Sequence, residues 1–252
     1  MSAAANPVPA IAVRVWTMTT AGLDEAAVAP WAGLLDATER ARAARFVFSH
    51  SRIAFIAAHA LARAALAAAA GAPPAAFAFA AGAHGKPEAL LQGRSAGLAF
   101  NLSHTNGLVG VAVAAVPGLP LGIDLEPVDR RAPMEVARRY FTDIEIAWLE
   151  GLPEARRGEG FFRLWTLKEA FIKATGKGLT QDLSSFWFRV DPPAIAFAPE
   201  LAGRAEDWSF AQRIVHRGFL VAIGLCGQGA CIDAAWRELD PAGFDPAAGL
   251  GW

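Results

Sequence analysis

Two short segments carry acidic side chains whose spacing could hold a divalent cation. The first, "GIDLE" at residues 122 to 126, alternates as a strand does, which places Asp124 and Glu126 on one face. Ile123 and Leu125 then point into the protein core. Two carboxylates that project together, combined with water and a substrate phosphate, are ligands that magnesium prefers. A strand with two solvated acids on its outer face has the same pattern, so further residues must decide between the two interpretations.

The second segment, "FFRLWTLKEAFIKATGKGL" at residues 161 to 179, has the periodicity of a helix. Trp165, Glu169 and Lys173 are spaced by four and lie along one stripe beside an apolar face. If this stripe faces the two strand carboxylates, three acids can hold a cation. Lys173, with Lys168 nearby, would then meet phosphate charge that the cation does not neutralise. The alternative is an ordinary Glu-to-Lys pair on a solvated helix, worth about 0.2–0.5 kcal/mol.

The composition allows a compact globular protein with a sizeable core. The chain has 252 residues, of which 54% are hydrophobic and 19% are charged. Its formal net charge of -1 contains no block of like charges, so partners such as nucleic acid or an anionic membrane are not expected and anion binding must be local. Cys226 and Cys231 form a single C-x4-C pair without a neighbouring histidine. This pattern argues against a zinc site and against a disulfide framework.

Targeting signals are also not apparent. The N-terminal residues show no charged region followed by a long apolar run, so a secretory signal is not expected and the cytoplasm is the expected location. The alanine-rich run from 54 to 71 is interrupted by His59 and Arg63 and closes at Gly71. We therefore predict a buried helix there rather than a membrane span.

Hydrophobic periodicity predicts a mixture of strands and helices. The predicted strands lie at 11–18, 121–128, 185–190, 208–215 and 219–225, and the predicted helices at 34–46, 51–70, 133–150 and 159–175. A hairpin is predicted over 98–116, where two β-rich runs flank a polar "SHTNG" turn. This order indicates an α+β fold with two similar halves, residues 1–118 and 119–228, followed by a peripheral tail at 229–252.

Three motifs together resemble the signature of a known family. They are "NLSHT" at 101–105, "GIDLE" at 122–126 and "WTLKEAFIKATGKGL" at 165–179. In this order they are similar to the motifs of the 4'-phosphopantetheinyl transferases, in particular the larger, surfactin-synthetase type that works as a monomer. Weaker similarity extends back through "GKP" at 85–87 and the arginine-bearing helices at 36–66.

The resemblance implies a reaction and a fold. Such enzymes transfer the phosphopantetheine arm of coenzyme A to a serine of an acyl or peptidyl carrier protein and release adenosine 3',5'-bisphosphate. They depend on magnesium, with manganese as the alternative ion. The implied fold is a pair of α+β halves related by a pseudo-twofold axis, with the active site at the interface between the halves.

The resemblance also assigns roles by motif position. It implies that Asp124, Glu126 and Glu169 bind the metal, that Asp124, Glu169 and Lys173 are catalytic, and that coenzyme A is held by Lys173, Ser103, His104, Lys86, Arg45 and Arg52. Lys173 corresponds to the pyrophosphate contact and Lys86 to a basic residue near the nucleotide. Glu169 is a metal ligand first and a base second, and it could accept the serine proton directly or through a water. Arg63 is a further candidate for the 3'-phosphate, or a paired arginine in the core.

Two other classes of protein share part of this pattern. A metal-dependent nuclease also combines an acid with a short acid-and-lysine motif, but it would place that motif on a strand beside a basic groove, whereas the Glu169 segment is helical. A module that binds coenzyme A or a carrier protein without turnover is disfavoured because all three acids and Lys173 are present. For the enzyme, we expect a mixed apolar and basic carrier-docking surface between Phe141 and Phe162 that includes Arg156 and Arg157.

Overall fold

The computed structural model describes residues 8–82 and 85–251. Its α-helices are α1 (Glu25–Ala32), α2 (Ala37–Ala43), α3 (Ser49–Ala70), α4 (Met134–Tyr140), α5 (Asp143–Gly151) and α6 (Glu154–Thr175). Its strands are β1 (Ala10–Thr19), β2 (Phe77–Ala81), β3 (Pro87–Leu91), β4 (Arg94–Ser95), β5 (Ala99–Thr105), β6 (Leu108–Ala114), β7 (Leu121–Pro127), β8 (Phe186–Arg189), β9 (Ala194–Phe197), β10 (Trp208–Val215), β11 (Phe219–Cys226) and β12 (Cys231–Leu239). The predicted α+β class is confirmed.

Two main sheets organise the described residues. The first is four-stranded in the order β12-β1-β6-β5, in which β1 runs parallel to β12 and antiparallel to β6. The second is three-stranded and antiparallel in the order β10-β11-β7. Two smaller sheets, β2-β3-β4 and β8-β9, flank them. Strand β7 therefore lies at the edge of its sheet, where it contacts β5 of the first sheet.

The two main sheets are stacked between two long helices. On β6, Val109 and Val111 belong to the apolar cluster that includes α3, whereas the alternate residues Leu108 and Ala112 belong to a cluster shared with β7 and β11. The opposite face of the second sheet packs its apolar side chains against α6. The order of layers is α3, first sheet, second sheet, α6. Both faces of β6 are buried because it lies inside this stack, as its unbroken apolar sequence predicts.

Helix α3 is the predicted alanine-rich helix. By length and composition it could cross a membrane, and most of it is buried inside the protein. It ends at Gly71, whose backbone is left-handed with φ 64° and donates to the carbonyl of Ala67. Arg63 is buried and forms an ion pair with Glu39, with 2.5 Å between Nη2 and Oε2. The charge that interrupts the apolar run is thus neutralised in the core.

Several predicted boundaries differ from the structure. The segment 133–150 forms two helices, because Thr142 and Glu145 make a capping box that starts α5 after Phe141. The predicted "SHTNG" turn is shorter than expected, since Ser103 and His104 still pair within the β5–β6 hairpin. The chain reverses at Asn106 and Gly107, where the glycine has φ 92°.

The segment 229–252, predicted as a peripheral tail, instead contributes a strand to the first main sheet. Strand β12 pairs in parallel with β1 over nine residues, and Phe244 beyond it packs edge-on against Trp31 with ring centroids 5.2 Å apart. The β12 side chains are exposed or half-buried. The segment was predicted as a tail because it is rich in Gly, Ala and Pro, a composition that does not show how a strand within it pairs. The two-half division at 118/119 and the pseudo-twofold relation stay predictions, and residues 1–7, 83–84 and 252 lie outside the described residues.

Candidate active site

A glycine brings β7 and α6 into close contact. An added Cβ at Gly122 would lie 2.0 Å from the carbonyl oxygen of Ala170 and 2.6 Å from the nitrogen of Ala174, so a larger residue could not be accommodated there. The two alanines are one helical turn apart, and each follows a candidate site residue of α6, Glu169 and Lys173. The close approach therefore sets these two side chains beside the carboxylates of the strand, as their spacing predicts.

Lys173 joins the two main sheets at this point. Its Nζ lies 2.6 Å from Asp124 Oδ1 and donates to Ser103 Oγ at 2.7 Å. Ser103 comes from β5 of the first sheet and Asp124 from β7 of the second sheet. The side chain of Asn101, also on β5, accepts a hydrogen bond from the backbone of Ile123 at 2.8 Å and fixes the two strands together. The predicted residues Ser103, Asp124 and Lys173 are thus brought together from three elements.

Two buried carboxylate oxygens beside Lys173 lack hydrogen-bond partners. Among the described residues, neither Asp124 Oδ2 nor Glu126 Oε2 accepts a hydrogen bond, and the Arg130 guanidinium lies 3.6 Å from the latter. Burial raises the pKa of Asp124, a rise that Lys173 opposes. Burial and the neighbouring Asp124 raise the pKa of Glu126 to about 7. These two oxygens are buried acceptors that are available to a further ligand.

Glu169 adds a third carboxyl group to this surface. It is half-buried, and burial together with the negative charge of Asp124 raises its pKa. Within residues 8–82 and 85–251, no three acidic, histidine or cysteine side chains already converge as a metal cluster. The donor set nevertheless suits a hard cation, since it consists of carboxylate oxygens, two of which have no hydrogen-bond partner. A cation there would oppose the burial that raises the pKa of all three carboxyl groups, and the repulsion by Asp124 that further raises those of Glu126 and Glu169.

A cavity of about 270 Å³ opens beside these groups. Its lining includes Lys86, Asn101, Glu169, Lys173 and the two glycines Gly176 and Gly178. Lys86 does not point its charge freely into this space. Its Nζ donates to the carbonyl of Leu121 at 2.8 Å and to the carbonyl of Ala174 at 3.3 Å.

His104 faces a second cavity, of about 400 Å³. The lining includes Asp36, Arg42, Phe55, His59, Phe79 and His104. His104 is solvent-exposed, yet partial removal from water and the nearby charge of Lys173 lower its pKa. Aromatic rings, two histidines and a guanidinium around one space are suited to a planar base and a phosphate.

Two predicted arginines, Arg45 and Arg52, are not part of the lining of this second cavity. Arg52 is bound to Glu25 Oε1 at 2.9 Å and to the carbonyl of Phe46 at 3.1 Å. Arg45 is exposed and does not line the cavity, so its contact with coenzyme A stays a prediction. Arg42, which sequence reasoning missed, does line it. Its position three residues from Glu39 on the same helix is the signal that could have found it.

Lys168 has a structural partner rather than a place at the site. It is 0% exposed, as is its partner Glu145, and their Nζ and Oε2 atoms are 2.9 Å apart. Its ammonium also donates to the carbonyls of Leu183 and Phe186, each at 2.8 Å. The expectation that Lys168 helps to meet phosphate charge is therefore wrong, because this side chain points into the core on the far side of α6.

Known proteins resemble this chain along most of its length. Residues 120–224 match the family described as the 4'-phosphopantetheinyl transferase superfamily, and residues 24–116 match the family described as 4'-phosphopantetheinyl transferase, N-terminal. The chain is 32% identical over 202 residues to the 4'-phosphopantetheinyl transferase HetI of Nostoc sp. strain PCC 7120, a match that covers 79% of this chain and 81% of that protein.

Shorter matches centre on relatives from Bacillus. The 4'-phosphopantetheinyl transferase psf-1 of Bacillus pumilus is 45% identical over 94 residues, which is 36% of this chain and 37% of the relative. The 4'-phosphopantetheinyl transferase Sfp of Bacillus subtilis strain 168 is 36% identical over 91 residues, which is 36% of this chain and 39% of the relative. These similarities cover most of the chain, and they include the segments of β5, β7 and α6 that form the site. The chain therefore belongs to the 4'-phosphopantetheinyl transferase family of enzymes.

Proposed function

We propose that this enzyme transfers the 4'-phosphopantetheine arm of coenzyme A to a serine hydroxyl of acyl or peptidyl carrier proteins. The serine oxygen attacks the β-phosphorus of the coenzyme A diphosphate, and a new P–O bond forms. The P–O bond to the bridging oxygen breaks, and adenosine 3',5'-bisphosphate leaves. The observation that carries the proposal is the contact of Lys173 with both Ser103 and Asp124, beside carboxylate oxygens that lack hydrogen-bond partners.

Asp124, Glu126 and Glu169 would hold a magnesium ion, for which manganese is the alternative. When bound, the cation supplies positive charge to the diphosphate. Lys173 is already placed by Ser103 and Asp124, so its ammonium can stabilise negative charge on the non-bridging oxygens without a large reorganisation. Ser103 contributes a hydroxyl on the same side. These residues orient the diphosphate for in-line attack.

Glu169 is the proposed acceptor of the serine proton. Its pKa is raised by burial and by Asp124, which makes it a stronger base than a solvated glutamate. The half-buried side chain lines the cavity at Lys173 and so stays accessible to an incoming hydroxyl group. The proton moves from the serine to Glu169, directly or through a water, as the P–O bond forms.

The nucleotide end of coenzyme A would occupy the cavity at His104. Arg42 and His104 can donate to phosphate oxygens, and Phe55 and Phe79 offer apolar ring faces to a base. Arg45, an exposed residue just after the helix that carries Arg42, is a further proposed contact of the phosphates. Arg52, which is paired with Glu25 and with the carbonyl of Phe46, stays a predicted contact of coenzyme A.

The proposal includes the setting in which the enzyme works. We place it in the cytoplasm as a monomer whose partners are carrier proteins and coenzyme A, without nucleic acid or membrane as partners. The docking surface lies between Phe141 and Phe162. It combines exposed apolar side chains, Ile144 and Trp148, with the exposed Arg156.

Incubation of purified apo-acyl or apo-peptidyl carrier protein with enzyme, coenzyme A and magnesium tests the function. Mass spectrometry should show the carrier gaining one phosphopantetheine group, and chromatography should show an equal amount of adenosine 3',5'-bisphosphate. Glu169→Gln should abolish most of this transfer while the protein stays folded. Glu200→Gln, at an exposed acid outside both the site and the proposed docking surface, is the matched control and should transfer normally. Transfer by Glu169→Gln at the wild-type rate would refute the proposed role of Glu169.

A further inference from the structure

The backbone of Lys86 is hydrogen-bonded to the residue just after the end of β2, next to the first residue of β3. Gly82 donates its N–H to the Lys86 carbonyl at 2.8 Å, and Pro87, the next residue, pairs with Ala81 as β3 begins. An added Cβ at Gly82 would lie 2.7 Å from the same carbonyl oxygen, so only glycine permits this closure. The Lys86 side chain therefore extends from a hydrogen-bonded backbone position at the end of the β2–β3 hairpin.

The Lys86 side chain ends at the two segments that carry the site. Leu121, whose carbonyl accepts at 2.8 Å, is the first residue of β7, and Ala174, whose carbonyl accepts at 3.3 Å, lies in the last turn of α6. Leu121 directly precedes Gly122, where the helix makes its closest approach. Ala174 directly follows Lys173. One ammonium thus connects a hairpin of the N-terminal half to both backbones that position Asp124 and Lys173.

The acceptors explain why a lysine suits this place. Carbonyls in the last turn of a helix lack intrahelical partners, and a cation there also interacts favourably with the helix dipole. Both acceptors are main-chain carbonyls and not carboxylates, so the side chain orders backbone. Burial lowers the pKa of Lys86 to about 8, which shows that withdrawing this ammonium from water is unfavourable by itself. The two hydrogen bonds offset that cost.

We propose that Lys86 is a positioning residue, which holds the start of β7 to the end of α6 so that Lys173 stays in contact with Asp124 and Ser103. This inference rests on the proposed function and differs from the role near the nucleotide that the resemblance implies. A phosphate contact would be lost from substrate and transition state alike, which raises the KM for coenzyme A. A loosened α6 would instead misplace Lys173 in the bound complex, which lowers kcat.

Lys86→Met, which keeps the length but removes the N–H donors, tests the inference by kinetics and by hydrogen exchange. We expect kcat to fall about tenfold or more, with the KM for coenzyme A changed by less than about threefold. We also expect faster amide exchange in a peptide that covers 170–176. Lys177→Met, at an exposed lysine just beyond the same helix, removes an equal charge. It should change kcat, the KM for coenzyme A and the exchange rate by no more than about twofold each.

Other outcomes decide the matter as follows. A rise in the coenzyme A KM of about tenfold or more, with kcat and exchange unaltered, would overturn the inference and make Lys86 a phosphate contact. If Lys86→Met does not fold, Lys86→Gln is measured in the same way. Its shorter, neutral side chain cannot keep both carbonyl contacts, so the same pattern of kcat loss and faster exchange is required. If the wild-type protein transfers nothing to any carrier, the proposed function fails. The exchange comparison of the Lys86 and Lys177 variants then still tests whether Lys86 holds α6.

Discussion

Two lysine–carboxylate pairs lie five residues apart on α6, and they serve different ends. Lys168 and Glu145 are 2.9 Å apart and fully buried, whereas Lys173 and Asp124 are 2.6 Å apart and Lys173 is 29% exposed. The first ammonium has two further carbonyl acceptors, and Glu145 accepts the backbone N–H of Phe188 at 3.0 Å. Every strong group at this first pair is satisfied.

The second pair is incomplete by comparison. Asp124 keeps one oxygen without a hydrogen bond among the described residues, and so does the nearby Glu126. Buried acceptors in this state are costly, and proteins retain them mainly where a ligand completes the site. The comparison teaches that distance and helix position do not separate a structural ion pair from a functional one. The completeness of the surrounding hydrogen bonds does.

The largest effect is expected at the buried Lys168–Glu145 pair. Lys168→Met leaves the Glu145 carboxylate buried without its cation, so we expect the free energy of unfolding to fall by about 3–5 kcal/mol. Urea denaturation of the purified variant measures this loss. A free energy of unfolding within about 1 kcal/mol of wild type would show that the buried pair is not a structural ion pair of this kind.

Lys173→Ala should produce the opposite pattern. We expect kcat/KM for coenzyme A to fall by an amount that corresponds to about 2–4 kcal/mol of transition-state stabilisation, because one preorganised charge is removed. Its loss of stability should be smaller than that of Lys168→Met, since Asp124 can bind a proton or a cation instead. Steady-state transfer assays and urea denaturation are run on the same samples. Near-normal activity with a large loss of stability would reverse the comparison.

Glu126, which lies beside the Lys173–Asp124 pair, also predicts a dependence of stability on pH. The pKa of Glu126 in the folded protein, about 7, lies above its ordinary value of 4.5, so protonation of this group stabilises the fold. This contribution is fully present below 4.5 and is lost as the pH rises through about 7. Without metal, we expect wild type to lose about 1–3 kcal/mol more than Glu126→Gln between pH ~5 and pH ~8.

Denaturation of the two proteins in a chelator at each pH measures the difference. Saturating magnesium should flatten the wild-type curve, because a cation that binds only the folded, ionised site stabilises it. Equal pH dependence in wild type and Glu126→Gln would show that the pKa of this carboxyl group is not raised in the folded protein.

The smallest effect is expected at the proposed carrier surface. Arg156 is exposed, whereas Arg157 donates to the carbonyls of Glu150 and Leu152, so most of any charge effect should come from Arg156. We expect Arg156→Glu to raise the carrier KM by an amount equivalent to about 0.2–1 kcal/mol, and less at higher salt. Transfer rates at two salt concentrations provide the measurement. An unchanged KM at both would place the docking surface elsewhere.

The local features of the site could be predicted from sequence because they depend on neighbouring residues. Alternation in "GIDLE" predicted that Asp124 and Glu126 share a face, and the spacing of four predicted that Glu169 and Lys173 share a stripe. Lys168 was misplaced even though it continues the apolar positions 164, 167 and 171. A lysine on an apolar stripe is normally read as exposed, and its partner Glu145 lies 23 residues away.

Contacts between distant segments were decided only by the tertiary structure. The parallel pairing of β12 with β1 joins the two ends of the chain, and the acceptors of Lys86 lie on β7 and α6, 35 and 88 residues away. Local sequence determines backbone periodicity and which side chains share a face. It does not specify which carbonyl a distant lysine reaches. That contact depends on the positions of packed sheets and helices, and a shift of a few ångströms would change it. The sequence by itself thus determined the donor set and the two elements that carry it, whereas packing at Gly122 and the Lys86 hydrogen bonds decided how the donors meet.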